Sequence, residues 1–442
     1  MLPLAVFLPA DTTFLDRGVS LLGIPILIGL AWLLSTNRKA ISWRPVAWGV
    51  ALQLIFGLIV LSPTLQQFFF NVIDTGVKEL IGFSEAGATF VFQSVEPHQV
   101  SFPDGHEETF IGRVSPPAKT FAFWILPTIV FFSSLMSILY HLGIMQKLVY
   151  VVAWVMQRTM GTSGAESLSA AANIFVGQTE APLVVKPFIE KMTRSELHAI
   201  MTGGFATVAG GVMAAYVGFL KDIPGIAGHL VAASIMSAPA ALAVSKVMCP
   251  EDGTPATSGE LKMEIPKTAR NILEAAANGA AEGTKLALNV AGMLIAFVGL
   301  IAMVDFGLAY VPFPGDDPLS LSRILGWVFA PIAFVMGVPW NEAGAVGTLL
   351  GQKLVLTEFV AYINLGSMVA SETPVISERS SIIASYALCG FANFASIGIQ
   401  LGGIGGIAPN RMGDLADLAL RAMIAGSLAA FMTGTIAGVL IG

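Results

Sequence analysis

Residues 173–190 read Asn-Ile-Phe-Val-Gly-Gln-Thr-Glu-Ala-Pro-Leu-Val-Val-Lys-Pro-Phe-Ile-Glu. The stretch is apolar enough to lie in a membrane. Yet it carries Asn173, Gln178, Thr179 and Glu180 and is broken by Pro182 and Pro187. An ionised carboxylate at the centre of a bilayer costs about 2.5–3.5 kcal/mol on insertion scales. Interrupted backbone at that depth is tolerated only against protein or a water-filled cavity. A fold that contains such a segment must wrap it, and the combination points to a solute or ion site. The plainer alternative is a short amphipathic connector at the membrane interface.

Composition sets the class. The chain of 442 residues is 55% hydrophobic and 12% charged, with a mean hydropathy of +0.76. Soluble domains carry about 25% charged residues, so a polytopic membrane protein is expected. The 46 glycines and 18 methionines suit close helix packing in lipid. The net charge of −6 says little about orientation, which loop charges decide. No basic run exceeds two residues, so nothing favours nucleic acid. Cys249 and Cys389 lie far apart, one in a loop and one in a membrane segment, so neither a disulfide nor a metal site is expected. Residues 1–10 are apolar but lack a basic leader and a cleavage site, and are not read as a signal peptide.

Apolar runs of about 20 residues can cross a bilayer. They occur near 19–35, 45–62, 118–140, 198–220, 227–248, 286–309, 380–403 and 422–441, which makes eight. Arg38, Lys39 and Arg44 form the densest basic loop, so the N-terminus is expected outside. The acidic segment 63–117 then lies outside as a loop, with Asp316 and Asp317; Arg411 and Arg421 lie inside, and the C-terminus emerges outside. This count closes only if 161–190 and 337–362, both glycine-rich with polar residues mid-run, enter and return on one side as re-entrant hairpins. His98, Asp104, His106, Glu107 and Glu108 match no usual zinc spacing. Their loop, with Pro97, Pro103 and Gly105, reads as solvated.

An internal repeat follows. Gly204-Phe205-Ala206-Thr207-Val208-Ala209 matches Gly390-Phe391-Ala392-Asn393-Phe394-Ala395 at four of six positions. Each follows a hairpin with an acidic residue deep in it, Glu180 or Glu358, and the two hairpins enter from opposite sides. Inverted repeats of this kind bind substrate near the midplane at the repeat interface. The polar groups there are acceptors and hydroxyls: Asn173, Gln178, Thr179, Glu180, Thr207, Glu358, Asn393 and Ser396. Lys186 sits near the end of the first hairpin and Lys353 is isolated, so no anion clamp forms. A neutral, hydrogen-bond-rich ligand is expected. Phe391 and Phe394 offer aromatic faces, carboxylates suit sugar hydroxyls, and an amide both donates to and accepts from a base edge. A nucleoside fits that set. Asn173 and Thr207, beside glycine-broken backbone, could add oxygens to a sodium site, or could only bond their own helices.

Four segments carry a family resemblance: Gly177-Gln178-Thr179-Glu180-Ala181-Pro182-Leu183-Val184-Val185, Gly203-Gly204-Phe205-Ala206-Thr207-Val208-Ala209-Gly210, Gly337-Val338-Pro339-Trp340 and Gly390-Phe391-Ala392-Asn393-Phe394-Ala395-Ser396-Ile397-Gly398. The chain resembles the concentrative nucleoside transporter family, bacterial branch, from about residue 20 to its end. The resemblance implies an all-α polytopic membrane protein with eight transmembrane helices, two opposed re-entrant helical hairpins in an inverted repeat, interfacial helices and a homotrimer. It divides the chain into 1–62 and 63–117, a scaffold segment 118–160, a first transport segment 161–248, a second scaffold segment 249–336 and a second transport segment 337–442. It also implies that Gly177, Gln178, Thr179, Glu180 and Val212 line the base, that Glu358, Asn393 and Ser396 take the ribose, and that Phe391 is the pocket aromatic. Asn173, the Val176 carbonyl, Thr207 and the Val208 carbonyl match the sodium site. The long 96–117 segment departs from the family pattern.

The function expected is a sodium-coupled nucleoside symporter in the bacterial inner membrane, working as an elevator and taking nucleosides such as uridine and adenosine. The rival within the class is proton coupling through Glu180 or Glu358. An intramembrane hydrolase would need a nucleophile among Ser371, Ser380 and Ser381 with His198, and no Gly-x-Ser-x-Gly elbow is present. A channel would ring a continuous pore with polar groups, whereas here they concentrate in two broken elements.

Overall fold

The structure is a computed structural model that describes residues 14–61, 63–102, 105–115, 118–259, 269–313, 318–371 and 375–441. Its helices run in order α1 (Phe14–Leu33), α2 (Trp43–Leu61), α3 (Pro63–Phe92), α4 (Leu126–His141), α5 (Ile144–Met160), α6 (Gly164–Asn173), α7 (Lys186–Ile189), α8 (Arg194–Ala206), α9 (Gly210–Phe219) and α10 (Ile226–Met248). They continue with α11 (Ile272–Leu308), α12 (Leu321–Val335), α13 (Trp340–Val355), α14 (Glu358–Val369), α15 (Glu378–Leu388), α16 (Phe394–Ile407) and α17 (Met412–Leu440). The protein is an all-α polytopic membrane protein. Among the described residues, seven segments are long and apolar enough to cross: Asp16–Leu33, Trp43–Leu61, Phe121–His141, Arg194–Phe219, Ile226–Met248, Ile272–Leu308 and Pro409–Leu440.

The structure differs from the sequence reading in two places. The run 380–403 is not one helix: α15 and α16 have 11 and 14 residues and are separated at 389–393. The segment 63–117 is not a loop throughout. It holds the 30-residue α3, and then an antiparallel hairpin that pairs β1 (His98–Ser101) with β2 (Glu107–Phe110). Charges in α3 fall at helical spacing, as in the Lys78–Asp74 pair at 2.6 Å. Asp104, Asp316, Asp317 and residues 1–10 lie outside the described residues.

The two halves repeat one order of elements: a hairpin, a broken helix, a long helix. In the first, α6 and α7 precede α8/α9, interrupted at Thr207 to Ala209, and then α10. In the second, α13 and α14 precede α15/α16 and then α17. Side-chain caps fix the starts of α6, α8 and α15. Ser163 and Glu166 form a capping box on α6, and Thr193 and Glu196 form another on α8. Ser377 caps α15, and the buried Glu342 of α13 accepts from both its backbone N–H and its hydroxyl at 2.9 Å. Lys246 of α10 neutralises Glu166 at 2.7 Å inside the protein. A sharp 117° bend joins α12 to α13. It turns at Gly337, whose φ of +99° favours glycine.

The breaks cross. A Cβ on Gly390 would stand 2.8 Å from the Phe205 carbonyl oxygen and 2.9 Å from that of Ala206. The backbone of one interruption therefore rests directly on the other. Gly426 of α17 closes the crossing from behind, where a Cβ would overlap that of Phe205. Outside this body, α11 packs along α4 through Gly279 and Gly283, with Ser134 Oγ donating to the Ala276 carbonyl at 2.9 Å. The rest of α11 exposes Leu288, Ile295 and Phe306.

Candidate functional site

The crossing gathers polar groups that are far apart in the chain. Glu358 opens α14 just past the break from α13 and is 2% exposed. Its Oε1 accepts from the Tyr216 hydroxyl and its Oε2 from Asn393 Nδ2, both at 2.9 Å. Asn393 is the N-cap of α16, where its Oδ1 accepts from the Ser396 N–H at 2.8 Å. This cap fixes which end of the amide faces Glu358. Ser396 Oγ in turn accepts from Gln178 Nε2 at 3.2 Å, and Gln178 Oε1 accepts from Gln400 Nε2 at 3.0 Å. Gln400 also donates to the Met201 carbonyl at 3.1 Å. One chain of hydrogen bonds therefore joins the first hairpin, both broken helices and the second hairpin.

Three groups near this chain have unspent capacity. Thr357 Oγ1 and Gln400 Oε1 are buried without a hydrogen-bond partner. So are both side-chain atoms of Asn173, which is 1% exposed. Buried polar atoms are normally paired, and such orphans call for a ligand or water. Asn173 lies against Gly203, where a Cβ would come within 3.1 Å of its Nδ2. Thr207 Oγ1 donates to the Gly203 carbonyl at 2.8 Å. Asn173 and Thr207 thus flank one glycine, and the Thr207 hydroxyl spends its proton on that glycine's carbonyl. Val208 is buried in the break beside them, and Val176 follows the end of α6. An unpaired amide, a hydroxyl oxygen and unwound backbone form the oxygen-rich set that a small hard cation takes.

The remaining expected residues are placed differently. Glu180 does not share the buried network. Its side chain is exposed, and its Oε2 accepts from the Gly177 N–H at 2.7 Å, closing the hairpin tip. Thr179 packs under Gly403, where a Cβ would meet its Cγ2 at 2.9 Å. Val212 is buried on α9, and Phe391 is buried in the second break. Lys186 is exposed at the start of α7, and Lys353 is buried. Sequence reasoning missed Tyr216 and Gln400. Each stands one helical turn beyond a residue it did find, Val212 and Ser396, and the i, i+4 rule places both on the same faces. The hydrolase residues do not converge: His198 Nδ1 pairs with Ser245 Oγ at 2.7 Å, while Ser380 and Ser381 bond within the first turn of α15.

Family models described as the N-terminus and the C-terminus of the Na+ dependent nucleoside transporter match residues 22–95 and 229–438. The chain belongs to this family. A further model, described as a nucleoside-recognition gate, matches residues 122–222. An uncharacterised transporter of Haemophilus influenzae is 45% identical over 432 residues, covering 96% of this chain and 97% of that protein. Solute carrier family 28 member 3 of Rattus norvegicus is 42% identical over 457 residues; the chain spans only 61% of that relative's length. Among solved structures, CNTnw in an inward-facing substrate-bound state superposes with a TM-score of 0.85 at 42% identity, covering 96% of this chain and 99% of that one. The family is one of nucleoside transporters, not of enzymes.

Proposed function

We propose that the protein is a secondary symporter that imports nucleosides across the bacterial inner membrane, driven by sodium. The observation that carries this reading is the network of Glu358, Asn393, Ser396 and Gln178 at the crossing of the two breaks. Glu358 and Asn393 present an acceptor and an amide to ribose hydroxyls. Gln178 offers its amide, with Gly177 and Thr179 beside it, to a base edge, while Val212 and Phe391 supply apolar surface. Glu180 at the exposed tip is the member positioned to change partners as the hairpin moves. Both Uridine and adenosine fit a site whose base end has a glycine at 177. Sodium would be held by Asn173, Thr207 and the carbonyls of Val176 and Val208; the orphaned Asn173 amide supports that assignment.

In this reading α4 and α11 form the scaffold, and the two hairpins with their broken helices travel as an elevator. Three copies associate, and both termini face outward. The exposed apolar face of α11 suits contact with lipid and partner copies. Uptake of labelled uridine into proteoliposomes, with sodium and proton gradients imposed separately, tests it. Accumulation under an inward sodium gradient is expected. Accumulation under a proton gradient alone, indifferent to sodium, would replace sodium by protons as the coupling ion. Equilibration without accumulation under either gradient would leave a passive pore.

A further inference from the structure

Lys353 has no role in the network above, yet it is among the most buried side chains in the protein, at 1% exposure. A buried ammonium needs compensation. No carboxylate among the described residues forms an ion pair with it. Its Nζ instead donates to the Ala387 carbonyl at 2.8 Å, one residue before the end of α15, and lies 5.9 Å from the centre of the Phe431 ring. The neighbouring Ser385 carbonyl accepts from the Tyr362 hydroxyl at 2.8 Å. The last carbonyls of a helix carry its negative pole, so a cation is stabilised there. Lys353 therefore sits on the negative end of a helix that stops inside the protein, five residues before Glu358.

The first half of the repeat has the same feature with a different occupant. There α8 stops at Ala206, again inside the protein and again just before a break. Its negative end meets no lysine among the described residues. It meets the unpaired amide of Asn173 and the hydroxyl of Thr207, flanking Gly203. One interrupted helix thus ends on an empty-handed oxygen set, and its counterpart ends on a tethered ammonium.

We infer that Lys353 is a built-in cation, held at the second break in the place that a mobile ion takes at the first. It neutralises the end of α15 and the adjoining Glu358 without an ion from solution. Only one of the two breaks then depends on sodium. The inference rests on the symport reading above, and it makes Lys353 a positioning residue for Glu358 rather than a group that touches the ligand.

The test is sodium-dependent uridine binding and charge movement per uridine, measured on purified protein and on proteoliposomes of the full chain. Lys353→Gln puts a neutral amide where the ammonium was, resembling Asn173 at the other break. It should bind uridine about 5- to 150-fold more weakly at low sodium, the range of typical coupling between a ligand site and a group that does not touch the ligand. High sodium should restore binding, with a steeper sodium dependence than the parent and more charge moved per uridine. Lys353→Met fills the same space with neither charge nor oxygen, so it should show the loss without the rescue. Lys353→Arg keeps the charge and should keep the parent's sodium slope. Parental sodium slope and affinity in Lys353→Gln, or parental affinity in Lys353→Met, would overturn the inference, as would rescue of Lys353→Met by sodium. If Lys353→Gln does not give a folded, monodisperse protein, Lys353→Met and Lys353→Arg decide the matter alone. A parent that binds no uridine at any sodium concentration would refute the symport reading instead.

Discussion

Glu358→Gln separates the recognition of a ligand from the integrity of the fold. Asn393 cannot turn its amide, because its Oδ1 is held as the cap of α16 by the Ser396 N–H at 2.8 Å. Its Nδ2 must therefore face residue 358. A glutamine there turns its carbonyl to Asn393 and its amide to the Tyr216 hydroxyl, which rotates to accept. Both internal hydrogen bonds of 2.9 Å survive in neutral form. What is lost is the charge presented to a ligand hydroxyl. A hydrogen bond to a charged group contributes about 1.5–3 kcal/mol and a neutral one about 0.5–1.5 kcal/mol. The difference, about 1–1.5 kcal/mol, is about tenfold in affinity. Uridine binding should weaken by about that factor, while binding of 2′,3′-dideoxyuridine, which lacks the hydroxyls, should stay the same. Titration of both ligands against parent and variant, with thermal unfolding as a control, reads this directly. Parental uridine affinity in Glu358→Gln, or equal losses for the two ligands, would refute the assignment of Glu358 to the ribose.

Other substitutions probe the rest of the site. Asn173→Ala and Thr207→Ala should each raise the sodium concentration for half-maximal uptake, since each removes an oxygen from a small hard-cation site; unchanged sodium curves would return both residues to helix bonding alone. Gly177→Ser adds a side chain 3.3 Å from Glu180 Oε2 and should penalise adenosine more than uridine in competition assays; equal losses would mean that the glycine serves the backbone. Gln400→Leu removes the donor that fixes Gln178 at 3.0 Å, so uridine affinity should fall about tenfold or less, the cost of one neutral hydrogen bond, with the sodium dependence untouched.

Much of this organisation is legible in the chain. The repeated Gly-Phe-Ala motif marks both breaks, and the acid-bearing glycine-rich runs mark both hairpins. Local patterns could not show how the halves meet. Glu180 and Glu358 look alike in sequence, each in an apolar run after a threonine. One caps an exposed tip through Gly177, and the other is covered by Tyr216 and Asn393. Burial is decided by which distant element lies on top, and that information is not local. The motif marks the break in 380–403, but composition does not show its extent, because Cys389 and Phe391 keep the run apolar while Gly390 lets another backbone approach. The helix α3 was hidden by its charges, which suggested a loop until their spacing is read.

The crossing also bears on how an ion and a nucleoside are coupled. The Phe391 N–H donates to the Thr207 carbonyl at 3.3 Å. Thr207 belongs to the candidate sodium set. Phe391 stands two residues before Asn393, which caps α16 and holds Glu358. One hydrogen bond and two residues of backbone thus separate the residue that would sense the ion from the one that would hold the ribose. Ordering the first break around a cation fixes the carbonyl on which the second break rests. Coupling of this kind is reciprocal: if sodium raises nucleoside affinity by some factor, the nucleoside raises sodium affinity by the same factor. Typical coupling energies of about 1–3 kcal/mol correspond to about 5–150-fold. Calorimetric titrations of uridine with and without sodium, and of sodium with and without uridine, should give matching ratios in that range. Removing the cation set by Asn173→Ala should shrink both ratios together, and uridine binding that is indifferent to sodium in the parent would show that the contact between the breaks carries no coupling.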